Sequence, residues 1–106
     1  MRIEIDFEMD ADGVRRSGQS VLALANSGGD VVVDLGAVSR LDSSGIGLLV
    51  HLHKRKLEAN ERFSVINVRG QPRELLGELR LLSVWAGGRS PVRTRAQGKV
   101  EPVLQN

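Results

Sequence analysis

The spacing of apolar residues changes several times along the chain, and each change marks a predicted element. From Met1 to Glu8 it alternates: Ile3, Ile5 and Phe7 point one way and Arg2, Glu4, Asp6 and Glu8 the other, the signature of a half-buried strand. Met9 to Gly13 reads as a turn, with Asp10 and Asp12 placed to cap the next element. Val14, Val21, Leu22 and Ala25 then fit one face of a helix over 14–26, weakened by Gly18 and ended by Gly28-Gly29. Asp30 to Leu35 reads as a buried central strand, because Val31, Val32 and Val33 run on without alternating. Ile46, Leu49, Val50, His53 and Leu57 return to helical spacing, which makes Ser43 to Asn60 the strongest helix in the chain. Lys54, Arg55 and Lys56 lie towards its carboxyl end, where the helix dipole favours cations.

Arg62 to Val68 alternates once more and predicts a strand. Gly70-Gln71-Pro72 is a turn with Pro72 suited to a first helical position, and Leu75, Leu76, Leu79 and Leu82 give a short amphipathic helix. Ser83 to Ala86 is expected to form a last short strand. After Gly87-Gly88 the periodicity is lost. Strands alternating with helices predict one α/β domain over 1–87, with a mixed, mostly parallel sheet of about four strands flanked by about three to four helices. Residues 88–106 are expected to be a basic tail, loosely docked or flexible.

Composition narrows the function more than the fold. The chain has 106 residues, a single core's worth. It has no cysteine, hence no disulfide framework or thiol nucleophile, and a cytoplasmic protein is the default expectation. No apolar run approaches the roughly 20 residues of a membrane span, and the alternating start is not that of a signal peptide. The net charge is only +2, but the amino end is acidic (Glu4, Asp6, Glu8, Asp10, Asp12) and the carboxyl end basic (Arg89, Arg93, Arg95, Lys99). Aromatic residues make up 3%, too few for a base-stacking platform, so no nucleic-acid partner is expected.

The chemistry gathers where the central strand gives way to the strongest helix, at Leu41-Asp42-Ser43-Ser44-Gly45-Ile46-Gly47. A hydrolase elbow wants Gly-x-Ser-x-Gly, but Leu41 stands at the first glycine position. His51 and His53 lie on the same helix, too far along to activate Ser43. As metal ligands they fail too, because an i, i+2 pair is separated by about 200° around a helix and metal pairs are spaced i, i+4. His53 is expected at the core boundary and His51 in solvent. Gly45 and Gly47 could admit an anion near backbone N–H groups, yet neither nucleotide-binding glycine motif is present. No enzymatic activity and no cofactor are therefore expected. One capping residue would account for Asp42; two serines backed by small glycines leave a hydroxyl free and a flat approach for another protein. Phosphorylating that hydroxyl would add about −1.5 to −2 charges where the helix dipole tolerates them, and a docked partner would meet a hydrated dianion.

These residues resemble a known family. Val31-Val32-Val33-Asp34-Leu35, then Val38, then Leu41-Asp42-Ser43-Ser44-Gly45-Ile46-Gly47-Leu48-Leu49 is similar to the STAS domain of bacterial anti-sigma factor antagonists, whose hallmark is Asp-Ser-Ser-Gly-[Leu/Ile]-Gly opening a helix. Glu8-Met9-Asp10 and Leu75 through Trp85 are similar at lower specificity, and the resemblance covers roughly residues 3 to 86. The chain departs from the family in having Phe7 where a glycine is usual, and in starting almost inside what is often the second strand.

The resemblance implies a STAS-like fold and a switch. The unphosphorylated protein would bind an anti-sigma factor that is also a serine kinase of the histidine-kinase-like ATPase type, freeing the sigma factor. That kinase would phosphorylate Ser43 and the complex would fall apart; a metal-dependent serine phosphatase would restore the hydroxyl. Asp42 would cap the loop, and Ser44 and Gly45 would shape the contact surface. Ile46 and Gly47 would lie beneath the partner, Ile46 also serving the core, and Asp10 would lie near the same surface. A different branch, the cytoplasmic accessory subunits of ABC-type lipid transporters, is similar at Val38-Ser39-Arg40 and Leu48-Leu49-Val50-His51-Leu52. There the motif tends to carry Thr and another small residue in place of Ser43-Ser44, so the paired serines favour the switch.

Overall fold

The computed structural model describes residues 1–85. Three strands, β1 (Arg2–Glu4), β2 (Val31–Asp34) and β3 (Phe63–Ile66), form one sheet in the order β1-β2-β3. Both pairings are parallel, with Ile3 beside Val33 and Val33 beside Val65. Helices α1 (Ala11–Ala25) and α2 (Ser43–Glu58) are the two crossovers, and α3 (Gly70–Glu78) and α4 (Leu82–Trp85) come after the last strand. Parallel neighbours need such helical crossovers, so the strand-helix alternation of the sequence leads directly to this topology. The sheet is therefore parallel throughout rather than mixed, and among the described residues it has three strands rather than four.

Alternation along the strands sorts the two faces. Ile3, Val31, Val33 and Val65 are buried, and with Leu48, Leu49 and Leu52 of α2 and Val21 and Ala25 of α1 they make the core. Arg2, Glu4, Val32, Ser64 and Ile66 occupy the other face and are exposed or half-buried. Val32 is thus not buried on both sides as its apolar run suggests; among the described residues the helices pack on one face only. Asp34 shares that second face and is nevertheless buried, accepting from the Gly36 N–H at 2.8 Å and from the Arg2 guanidinium.

Other boundaries move for identifiable reasons. The amino-terminal strand is three residues long, not eight. Ile5 N still donates to Asp34 O at 3.1 Å, but β2 ends there and the chain turns away towards Met9, which pairs with Leu41. The leucine-rich helix is interrupted at Leu79-Arg80, where Arg80 takes a φ of 61°, and starts at Gly70, two residues before Pro72. Gly28 and Gly29, at φ 91° and 90°, make the turn after α1 that residues with a Cβ rarely adopt. The expected strand at Ser83 to Ala86 is helical as far as Trp85: Trp85 N donates to Leu81 O at 2.9 Å. That turn buries the Trp85 indole edge-on against Phe63 and lets its Nε1–H donate to His53 Nδ1 at 3.0 Å. The expected tail at 88–106, and the domain limit at 87, lie outside the described residues.

Candidate functional site

Two helix starts lie side by side. Asp42 caps α2, its Oδ1 accepting from Ser44 N at 2.8 Å while its carbonyl takes the first helical bond from Ile46 N. Asp10 caps α1 in the same way, accepting from Gly13 N at 2.9 Å. The segments leading into both caps are bonded to each other: Met9 N donates to Arg40 O at 3.0 Å, and Asp42 N to Met9 O at 3.1 Å. Asp10 and Asp42, 32 positions apart in sequence, are each one residue beyond this bridge.

Gly45 makes the close approach possible. A Cβ on it would lie 2.4 Å from Met9 O and 2.5 Å from a Leu41 methyl, so no larger residue fits without displacing the bridge. A Cβ on Gly13 would meet Glu8 O at 1.8 Å, and so α1 is seated by the same device. Gly47 is different: a Cβ there would meet nothing within 4 Å. Ser43 and Gly47 are exposed, Ser44 is half-buried, and Ile46 is half-buried against the core. The cap uses the Asp42 carboxylate and the Ser44 N–H, which leaves the Ser43 hydroxyl outside it on the solvent side of the first turn.

Two residues that the sequence did not single out for this role hold the loop before Asp42. The Gln71 side chain brackets Leu41, with Oε1 accepting from its N–H at 2.7 Å and Nε2 donating to its carbonyl at 2.8 Å. The Glu8 carboxylate accepts from the Ser39 N–H and the Arg40 N–H, both at 2.9 Å, and from the Ser39 hydroxyl at 2.5 Å. These donors, the Ser39 hydroxyl first and the Arg40 N–H next, hold the Glu8 carboxyl below its ordinary pKa. Gln71 carries no signal beyond its place in a Gly-Gln-Pro turn; Glu8 stands out as a polar strand position and within the Glu-Met-Asp run, and neither points to Ser39.

The histidines stand apart from this surface. His51 is exposed; His53 stacks on Phe63 with ring centres 5.5 Å apart, and burial lowers its pKa. The described residues contain no group of three or more His, Cys, Asp or Glu side chains placed to hold a metal ion. A depression at the carboxyl ends of the strands is lined by Asp34, Gly36, Asn67 and Arg69, but these residues bind one another: Arg69 donates to Gly36 O and Gly36 N to Asp34. Among the described residues no helix is long and apolar enough to cross a membrane.

A family model described as "Mlab, STAS domain" matches residues 1–84. No curated protein matches the chain. The match spans well over half of the sequence and the parallel α/β core fits it. The chain belongs to the STAS domain family.

Proposed function

We propose, with STAS membership as the premise, that this chain is an anti-sigma factor antagonist worked by partner switching. Its unphosphorylated form binds a serine-kinase anti-sigma factor of the histidine-kinase-like ATPase type; phosphorylation of Ser43 ends the complex, and a metal-dependent serine phosphatase restores it. The observation that carries this reading is the exposed Ser43 on the first turn of α2, outside a cap that Asp42 and Ser44 complete without it. Gly45, Gln71 and the Met9–Leu41 bridge fix the surrounding backbone independently of that hydroxyl. A phosphate there would lie beside the capping Asp42 carboxylate but also at the amino end of α2, whose first turn adds no further acid, so the helix dipole offsets part of the added charge. It would still displace a partner, because a dianion at a docked surface keeps its water. The chain acts as a substrate and ligand in this scheme, not as a catalyst.

The test is to incubate the protein with the serine-kinase anti-sigma factor and ATP, and to locate the phosphate by mass spectrometry. Phosphate on Ser43 with loss of the complex is the expected result. Phosphate elsewhere, or a complex that survives full modification of Ser43, contradicts the reading.

A second reading, an accessory subunit of an ABC-type lipid transporter, is supported by the similarity of Val38-Ser39-Arg40 and Leu48-Leu49-Val50-His51-Leu52 to that branch. It uses the same surface as a permanent dock. A transporter subunit stays unmodified by the kinase and co-purifies with an ATPase.

A further inference from the structure

The sheet is left open at β1. In the order β1-β2-β3, this strand has a hydrogen-bonded neighbour on one side only. The bonds that hold it to β2 use alternate residues. Met1 O accepts from Val32 N at 2.8 Å and Ile5 N donates to Asp34 O at 3.1 Å, with Ile3 between them in register with Val33. The N–H and C=O of any one strand residue point to the same side, so those of Arg2 and Glu4 point away from β2. Among the described residues no group bonds to them. The other edge strand, β3, has α4 packed against it. An exposed row of unpaired N–H and C=O groups is a template for another strand.

The side chains on that edge are opposite in sign. Arg2 and Glu4 are exposed and share the sheet face that no helix covers among the described residues. Arg2 is anchored by Asp34, whereas the Glu4 side chain, 74% exposed, has only a loose contact with Arg2 at 3.7 Å. Charges on an edge strand normally discourage pairing. Here they select one arrangement. When a second β1 is laid antiparallel with the two Ile3 residues on a two-fold axis, Arg2 of each copy stands opposite Glu4 of the other, at the hydrogen-bonded positions of the ladder. Sliding by two residues sets Arg2 against Arg2 or Glu4 against Glu4, and parallel pairing in register sets both like pairs together. A slip of one residue turns the side chains to the wrong faces. The strand is self-complementary in a single register.

We infer that β1 is a self-association edge, where a second copy of this chain pairs antiparallel through Arg2 and Glu4 and continues the sheet across a two-fold axis at Ile3. Each Arg2 N–H then donates to a Glu4 C=O of the other copy, and each Glu4 N–H to an Arg2 C=O. The Arg2 guanidinium, already held by its own Asp34, gains the Glu4 carboxylate of the other copy as a second partner. A contact confined to one short strand is small for a protein interface, so the dimer is reversible and fills as concentration rises. The inference makes no use of Ser43 and stands apart from the proposed switch.

The test is sedimentation equilibrium of the full chain from about 10 μM to about 1 mM, with a thermal melt of each variant and hydrogen exchange at the Glu4 amide. The wild type is expected to pass from monomer to dimer over this range, with the Glu4 amide exchanging more slowly as the dimer fills. Glu4→Pro removes an outward N–H and no bond to β2, and is expected to abolish the dimer in a folded chain. Glu4→Arg sets like charges opposite each other and is expected to weaken association about tenfold. Mixing Glu4→Arg with Arg2→Glu opposes unlike charges at every position again and is expected to restore the dimer, a rescue that a merely weakened strand does not give. If Arg2→Glu, which faces Asp34, does not fold, the two Glu4 variants decide. A wild type that stays monomeric, or a dimer that both Glu4 variants leave unchanged, overturns the inference. A monomer whose Glu4 amide is protected at every concentration also overturns it, and assigns the edge to another part of this chain.

Discussion

The two helix starts of this domain are built alike and filled differently. Asp10-Ala11-Asp12-Gly13 and Asp42-Ser43-Ser44-Gly45 each open with a capping aspartate and close with a glycine pressed onto the 8–9 backbone. In α1 the first turn holds its own carboxylate, Asp12, which in turn pairs with Arg15 and Arg16. In α2 the first turn adds no acid to the capping Asp42, and an uncharged, exposed hydroxyl stands at Ser43. One helix start carries two carboxylates, the other one. The frame that positions both is shared, so the difference lies in side chains that do not hold the fold together.

That contrast can be broken at the frame first. Gly13→Ala and Gly45→Ala each force a methyl into backbone and should cost about 3 kcal/mol by urea denaturation, the upper end for overpacking. Near-neutral values for either would show that the helix starts are not seated as described. The caps come next: Asp10→Ala and Asp42→Ala should each lose about 1 kcal/mol, measured the same way. A cost confined to one of them would make the two starts unlike in structure as well as in chemistry.

Adding charge separates them by less energy and more meaning. Ser43→Asp should be neutral or stabilise by about a few tenths of a kcal/mol, while Ala11→Asp, beside Asp12, should gain nothing. Only the former should abolish binding to the kinase; loss of binding in Ala11→Asp as well would make α1 part of the switch. The smallest effect lies with Glu8. Its pKa in the fold is below the ordinary 4.5, so its contribution is complete above about that pH and is lost as the pH falls through the folded value. Glu8→Gln should therefore flatten the acid side of the stability–pH curve, and an unchanged curve would show that its carboxylate does not clamp the Ser39-Arg40 loop.

Much of this site is legible in the sequence. The Asp-Ser-Ser-Gly run, the strand before it and the helix after it come from local pattern, and Asp42 and Asp10 are caps because aspartate at that position satisfies N–H groups two or three residues on. Contacts across some thirty residues are not legible. Gln71 reaching Leu41, Glu8 reaching Ser39 and the Met9–Leu41 bridge have no periodic signature. The same limit explains where the expected fold and the observed one differ. Alternation from Ile3 to Phe7 persists where pairing has already stopped, because β2 ends at Asp34. Ser83 to Trp85 turns helical because Trp85 must reach His53 and Phe63, and no local propensity records that.

In the proposed switch, one uncharged group at the start of α2 decides docking while the cap and the bridge beside it are complete without it. The most direct test compares protein phosphorylated at Ser43 with unmodified protein, measuring thermal midpoint and kinase affinity on the same two samples. The midpoint should hold or rise slightly while affinity drops by about a hundredfold or more, which is about 2.8 kcal/mol at about 1.4 kcal/mol per tenfold change. Equal affinities, or a loss of affinity matched by a collapse of the midpoint, would contradict this role for Ser43.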